Sequence, residues 1–313
     1  MAGELVTGPG LIQWGTLLLG RLQAQGVTTP YRWSRISGWQ ETPGQDSGTT
    51  PRAQQSGAWL GRLLAQSRII TLEGLVVRAP RGTMGAVIGA LEAATPIEQA
   101  VEQPLVVQLD ERGPLLVFAR VLRRATPPDP RWQLGYSEGG AIQWEATDPR
   151  RYSLTELSTS VGLPQPGQGL DWADGSSPAG LDWHDGDSPP GLDWGAAGVS
   201  GDLTVTNAGT AASHPVLEIR GPVTMPSITV QGTSTVLEYD LPLAASDVLT
   251  IDTRAGTVLL ASGASRLYTV TARSVPENLF VLPPGVTTLS FRDGAGGVDP
   301  AASLTVRYRS AYW

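Results

Sequence analysis

The tetrapeptide Gly-Leu-Asp-Trp returns three times at a spacing of 11 residues between Gly169 and Gly195, and it divides the chain into two regions of different character. Leu170 and Trp172, Leu181 and Trp183, and Leu192 and Trp194 stand two apart with an Asp between each pair. In an extended chain this puts Leu and Trp on one face and Asp on the other. Asp-Gly followed by Ser and Pro separates the rungs, which is turn chemistry. Three regularly spaced Leu-x-Trp pairs in a linker have a physical reason only if they are covered, so these six residues are read as packing or interface candidates. Burial of each large apolar side chain against a domain or subunit contributes roughly 1.5–3 kcal/mol. The segment is expected to act as an ordered strap.

Charge follows the same division. Residues 1–153 hold 15 arginines against 13 acids and residues 201–313 hold 7 against 9, so the two balances of +2 and −2 cancel. Residues 154–200 hold 7 acids and no base, and this segment alone accounts for the net charge of −7. No basic patch recommends nucleic-acid binding. The expected division is 1–153, an acidic repeat linker over 154–200, and 201–313.

At 313 residues there is room for two domains, and a hydrophobic content of 41% suffices for packed cores. With 38 Gly and 25 Pro, the composition suits short strands joined by turns. In the first region Leu11–Leu19 reads as one strand, and Tyr31 and Trp33 alternate onto one face of another. Residues 40–57 are polar and too long for an ordinary connection, so they are expected to be a mobile or partner-binding loop. Met84, Val87, Ile88 and Leu91 make the apolar stripe of a single helix, capped by Thr83 and closed by Pro96. Leu105–Leu109 and Leu115–Leu122 flank a polar turn as a hairpin, and Trp132–Tyr136 with Ala141–Ala146 reads as a last pair of strands. After the repeat, short runs recur about every 8–12 residues, the spacing of an all-β sandwich. Leu267–Thr271 and Leu279–Leu282 are among those runs.

The usual chemical signatures are missing. With no cysteine and only two histidines, His184 and His214, the common zinc sites are not available. Asp182, Asp185 and Asp187 resemble part of a calcium loop, but no downstream Glu completes it. Paired carboxylates for glycoside hydrolysis would need a rigid setting that a repetitive linker does not offer. No Gly-x-Ser-x-Gly elbow, phosphate loop or dinucleotide fingerprint occurs. The expectation is no catalytic residue, no cofactor and no metal. No run reaches the roughly 18 apolar residues of a membrane span, so no membrane insertion is expected.

Taken in order, a β-rich region closing on Trp144-Glu-Ala-Thr-Asp-Pro-Arg-Arg-Tyr152 precedes a three-rung linker. A β-region then opens on Leu203-Thr-Val-Thr-Asn-Ala-Gly-Thr-Ala-Ala-Ser-His-Pro215, runs through Ile251-Asp-Thr-Arg254 and ends in Arg307-Tyr-Arg-Ser-Ala-Tyr-Trp313. This order resembles the distal tail proteins, or minor tail proteins, of bacteriophages with long non-contractile tails (siphoviruses), of the type infecting actinobacteria. The resemblance implies a mainly β fold: an N-terminal β-sandwich-like ring domain with one α-helix and a C-terminal galectin-like or carbohydrate-binding-module-like β-sandwich. It implies a non-enzymatic virion protein at the distal end of the tail, a homo-oligomeric ring, usually a hexamer, joining the tail tube protein to the tail-tip hub or baseplate. DNA would pass through the lumen without specific binding. The outer sandwich would carry receptor-binding proteins or support host attachment. The alternative is a carbohydrate-binding or receptor-binding tail module that recognises host saccharide. A wall-degrading hydrolase finds no constellation to support it.

Overall fold

The computed structural model describes residues 2–22, 28–128, 130–167 and 198–313. The chain forms two compact units: one comprises residues up to Thr155 together with Ala311–Trp313, and the other runs from Glu156 to Ser310. The described residues are mainly β, with one α-helix.

In the first unit seven strands close on themselves. In spatial order they are Leu11–Trp14, Leu17–Arg21, Tyr31–Trp33, Arg68–Arg78, Tyr136–Ala146, Leu115–Ala125 and Gln103–Gln108, and the last pairs back onto the first. Every neighbouring pair is antiparallel except Leu17–Arg21 with Tyr31–Trp33. Closure removes the free edges that an open sheet would expose. The expected sandwich-like arrangement is therefore replaced by a closed sheet. The expected strand Leu11–Leu19 is two strands, because Gly15, at φ +55°, turns the apolar run back on itself. The expected pair at 132–146 is also different: Trp132–Leu134 is a 3-10 turn, and Tyr136–Ala146 is one long strand between two others.

The interior is aromatic. Trp14 and Trp144 are fully buried with ring centroids 5.9 Å apart at 54°. The helix Met84–Ala94 covers this core with Met84, Ile88 and Leu91. Two polar handles from the sheet fasten it: Trp14 Nε1 donates to Ala94 O at 2.8 Å, and the Tyr31 hydroxyl donates to Val87 O at 2.7 Å. Thr83 precedes the helix as expected, but its hydroxyl donates backwards to Pro80 O instead of capping the first turn.

Besides a two-stranded pairing of Val223–Thr224 with Pro242–Leu243, the second unit contains two larger antiparallel sheets. One has five strands in the order Leu157–Gly162, Ser303–Tyr308, Val216–Arg220, Val248–Asp252 and Thr257–Leu260. The other has four: Asp202–Asn207, Gly285–Asp293, Pro226–Val230 and Val236–Glu238. Both contribute to one buried cluster that includes Leu203, Leu217, Ile228, Leu249, Phe291 and Val306. Residues 157–162, grouped by sequence with the acidic linker, are a strand of the first sheet, in register from Leu157 opposite Tyr308 to Gly162 opposite Ser303. Leu267–Thr269, within the expected strand Leu267–Thr271, is a 3-10 turn, and Leu279, the first residue of the expected strand Leu279–Leu282, ends another at Glu277–Leu279. Their apolar side chains sit on short bends, where alternation of Leu and polar residues carries no information about pairing.

Candidate functional site

The polar loop expected at 40–57 is a projecting β-arm that runs on to residue 66. Gln45–Ser47 pairs with Leu63–Ala65, and Thr50–Pro51 pairs with Ala58–Trp59. The limbs touch backbone to backbone: a Cβ at Gly61 would run into the Gly48 carbonyl, so this crossing requires glycine. A two-stranded ribbon has no interior, and both its faces meet solvent. Trp59, Leu60, Leu63 and Leu64 are exposed, Leu60 at 92%. Arg52 lies 4.5 Å over the Trp59 ring. Covering such a cluster would release roughly 1.5–3 kcal/mol per side chain, an upper bound for each.

The arm is rigidly rooted. Arg68, at its exit, is buried with its guanidinium turned on four main-chain carbonyls: Pro149 (2.6 Å), Gly38 (2.8 Å), Trp39 (3.1 Å) and Glu41 (2.7 Å). Burial, reinforced by the positive charge of Arg151, lowers its pKa to about 10, against the opposing pull of Glu41. Arg151 Nη1 donates to Gln40 Oε1 at 3.1 Å, and its Nη2 donates to Trp313 O. Gly38, at φ +77°, brings the entry limb so close to Ile69 O that no side chain fits there.

On the same unit a groove of about 560 Å³ is lined by residues 97–100 and 120–122, with Glu98 and Arg120 among them. Ile97 is 86% exposed. Gln99 Oε1 accepts from Val121 N at 3.1 Å, and its buried Nε2 has no partner among the described residues. In its wall Arg120 Nη2 pairs with Glu145 Oε2 at 2.7 Å, and this hydrogen bond holds the Glu145 carboxyl below its ordinary pKa.

Among the described residues no three His, Asp or Glu side chains gather where they could hold a metal ion. The carboxylates with displaced pKa values are ion-paired at the surface, as Asp202 is with Arg292 at 2.8 Å. His214 is half-buried near the start of a strand. The interface candidates Leu170, Trp172, Leu181, Trp183, Leu192 and Trp194 lie outside the described residues, as do His184 and the calcium-like Asp182, Asp185 and Asp187. No helix among the described residues is long and apolar enough to cross a membrane.

Two features escape sequence reasoning. The apolar limb Ala58-Trp-Leu-Gly-Arg-Leu-Leu-Ala65 announces itself only by following a polar stretch directly, and the clamp of Arg68 leaves no local signal.

No protein-family model and no curated protein sequence matches the chain. Solved structures do. The Dit protein of phage SPP1, described as a paradigm of the hub adsorption apparatus in phages infecting Gram-positive hosts, is similar with a TM-score of 0.57 at 12% identity, over 90% of this chain and 94% of that one. A chain of the phage P2 baseplate in its activated conformation is similar with a TM-score of 0.48 at 11% identity, over 95% and 96% of the two chains, in structures with calcium and with strontium. Over nine-tenths of its length the chain thus shares the fold of the SPP1 Dit protein, at 12% identity.

Proposed function

We propose that this chain is a structural, non-enzymatic component of a phage tail: a distal tail adaptor whose first unit assembles into a ring, hexameric by family resemblance, between tail tube and tail-tip hub. The observation that carries the reading is the fold likeness to the SPP1 Dit protein, which spans 90% of the chain. The exposed apolar arm on a firmly packed body supports it, because large exposed apolar groups in a cluster mark association surfaces. The ring lumen would pass DNA without specific contacts, in keeping with the near-balanced charge of residues 1–153. The actinobacteriophage type and the strap function of residues 154–200 belong to the same proposal.

Gold-labelled antibody against the purified chain should mark the distal end of tails, and negative-stain images of the protein at high concentration should show rings. Tails labelled elsewhere or not at all, together with a strict monomer, would sink the reading.

A second reading assigns host-saccharide recognition to the second unit. Tyr268, 76% exposed on a 3-10 turn with Arg266 6.0 Å from its ring, is the aromatic surface that favours it. A glycan array with the full chain and with Tyr268→Ala decides between saccharide binding and a scaffold role.

A further inference from the structure

The fold of the first unit gathers arginines that lie far apart in the chain. Tyr31–Trp33 runs antiparallel to Arg68–Arg78, with Arg32 opposite Val76. Arg78, two residues beyond Val76, shares that face and stands diagonally across from Arg32, where neighbours sit roughly 7 Å apart. Arg78 N donates to Pro30 O at 2.8 Å, which ties the approach to the short strand to the end of the long one. Here opens a recess of about 350 Å³ lined by Thr28, Thr29, Pro30, Arg32 and Arg78. It far exceeds the roughly 30 Å³ of one water and has room for a small hydrated anion. The walls are anchored: the Thr29 hydroxyl donates to Leu18 O and accepts from Tyr31 N, and Arg32 Nη1 donates to Arg21 O at 3.2 Å. Arg78 and Arg131 both lie against the Tyr136 ring, at 5.7 and 4.4 Å.

Charge around the recess is one-sided. Residues 19–33 carry Arg21 and Arg32 with no acid, and residues 76–83 carry Arg78 and Arg81 with no acid. Over residues 127–138, Arg131 pairs with Glu138 at 2.6 Å, and Asp129 lies outside the described residues. Glu73, the nearest acid earlier on the long strand, stands opposite Arg35. Five arginines against two acids leave these three segments at +3.

We propose that this recess binds a phosphate group, held between the guanidinium groups of Arg32 and Arg78. A carboxylate offers two oxygens in one plane, and a single guanidinium fork satisfies both. A tetrahedral phosphate presents oxygens in two directions and can engage a guanidinium on either side. Two cations on one face also repel, and a bound anion relieves that repulsion. The phosphate is either a free ion or one unit of a phosphodiester chain. The inference goes beyond the adaptor reading and does not depend on it.

Titrating the full chain into inorganic phosphate at low ionic strength should shift and broaden the phosphorus resonance. R32Q and R78Q should each weaken that binding by about ten-fold. Arg78 is exposed, so R78Q leaves the core intact, and thermal unfolding followed by circular dichroism confirms the fold of each variant. R123Q removes the same charge from a separate hollow of this unit, lined by Thr71, Ala125, Ala141 and Gln143, and should bind phosphate as the parent does. A labelled oligothymidylate, read by fluorescence anisotropy, is the second probe. Tighter binding than inorganic phosphate, lost in R32Q and R78Q, assigns the site to chain phosphates. Binding no tighter than inorganic phosphate assigns it to the free ion. Either result carries the site. Binding of neither probe overturns it, as does an R123Q variant weakened as much as R78Q, since that shows only diffuse attraction to positive charge.

Discussion

The first unit buries two arginines and the second buries two glutamates, and the two regions accommodate these charges in opposite ways. In the closed sheet of the first unit Arg68 and Arg151 donate chiefly to main-chain carbonyls around the root of the arm. The buried acid of that unit, Asp148, is matched close by in the chain, by Arg150 and the Tyr152 hydroxyl. In the second unit the buried ions are Glu238 and Glu277, and their donors are side chains: Thr271 and Arg273 for Glu238, Tyr239 for Glu277. The difference follows from what each region must satisfy. Where chain leaves a closed sheet to build a projection, carbonyls point inward without partners, and a guanidinium with five donors can serve several at once. Where open sheets are linked by 3-10 bends, hydroxyls and N–H groups converge, and a carboxylate takes their donors. Exposed apolar clusters follow the same contrast, with the first unit concentrating Trp59 and three leucines on one arm.

The largest test of this contrast is Arg68→Met. It strips four carbonyls of their donor and should destabilise the first unit by about 3–5 kcal/mol. In calorimetry the first unit's transition should fall while the second unit's stays in place. A common shift of both would end the description of two independently supported cores. Gly38→Ala should cost about 2–3 kcal/mol in the same transition, because it forces a side chain into the positive-φ approach to Ile69.

Tyr239→Phe should cost about 1–1.5 kcal/mol in the second unit by removing the hydroxyl that donates to Glu277. It also probes pH. Burial, then the Glu277 charge, pushes the Tyr239 phenol far above its ordinary pKa. The folded unit keeps that proton after an unfolded tyrosine has lost it near pH 10, so the stabilisation is complete below about pH 10 and declines above it. The substitution should flatten this alkaline decline in the second unit. It should leave unchanged the first unit's own decline, to which Tyr31, raised by burial, and Tyr136, raised by its hydrogen bond to Glu138, contribute. The smallest effect is expected from Asp202→Asn. The Arg292 hydrogen bond holds Asp202 below its ordinary pKa, so its contribution is present above about pH 4 and is lost as pH falls through the lowered value. The pair is partly exposed and should contribute no more than about 1 kcal/mol, visible as a slightly lower stability above that pH and a shallower acid decline.

Local patterns carried much of this architecture in plain view. The Met84–Leu91 stripe, the hairpin around Asp110–Pro114 and the Asp252 turn, whose carboxylate accepts from Arg254 N and Ala255 N, all rest on neighbours in the chain. Closure of the first sheet rests on Leu11–Trp14 meeting Gln103–Gln108, a pairing that no local period encodes. An unbroken apolar run such as Leu11–Leu19 fits one strand as well as two, and only the partners on either side decide. The exposed arm was half visible: the polar stretch reads as a mobile or partner-binding loop, but its apolar limb begins where that stretch ends. The groove assembles from residues 97–100, in the connection between helix and sheet, and residues 120–122 of a strand, joined where Val121 N donates to Gln99 Oε1.

Chain leaves the first unit after Arg151–Ser153 and returns as Ala311–Tyr312, and these two segments pair with each other, Arg151 opposite Tyr312. At the start and finish of the second unit, Leu157 stands opposite Tyr308 in the same antiparallel sense. Entry and exit are therefore neighbouring strands within each unit, and the stretch from Glu156 to Ser310 is a continuous insertion in the chain between two paired strands of the first unit. A lineage could exchange, enlarge or delete that insertion at two junctions, far apart in sequence yet paired in the fold, while the seven-stranded body kept every one of its pairings.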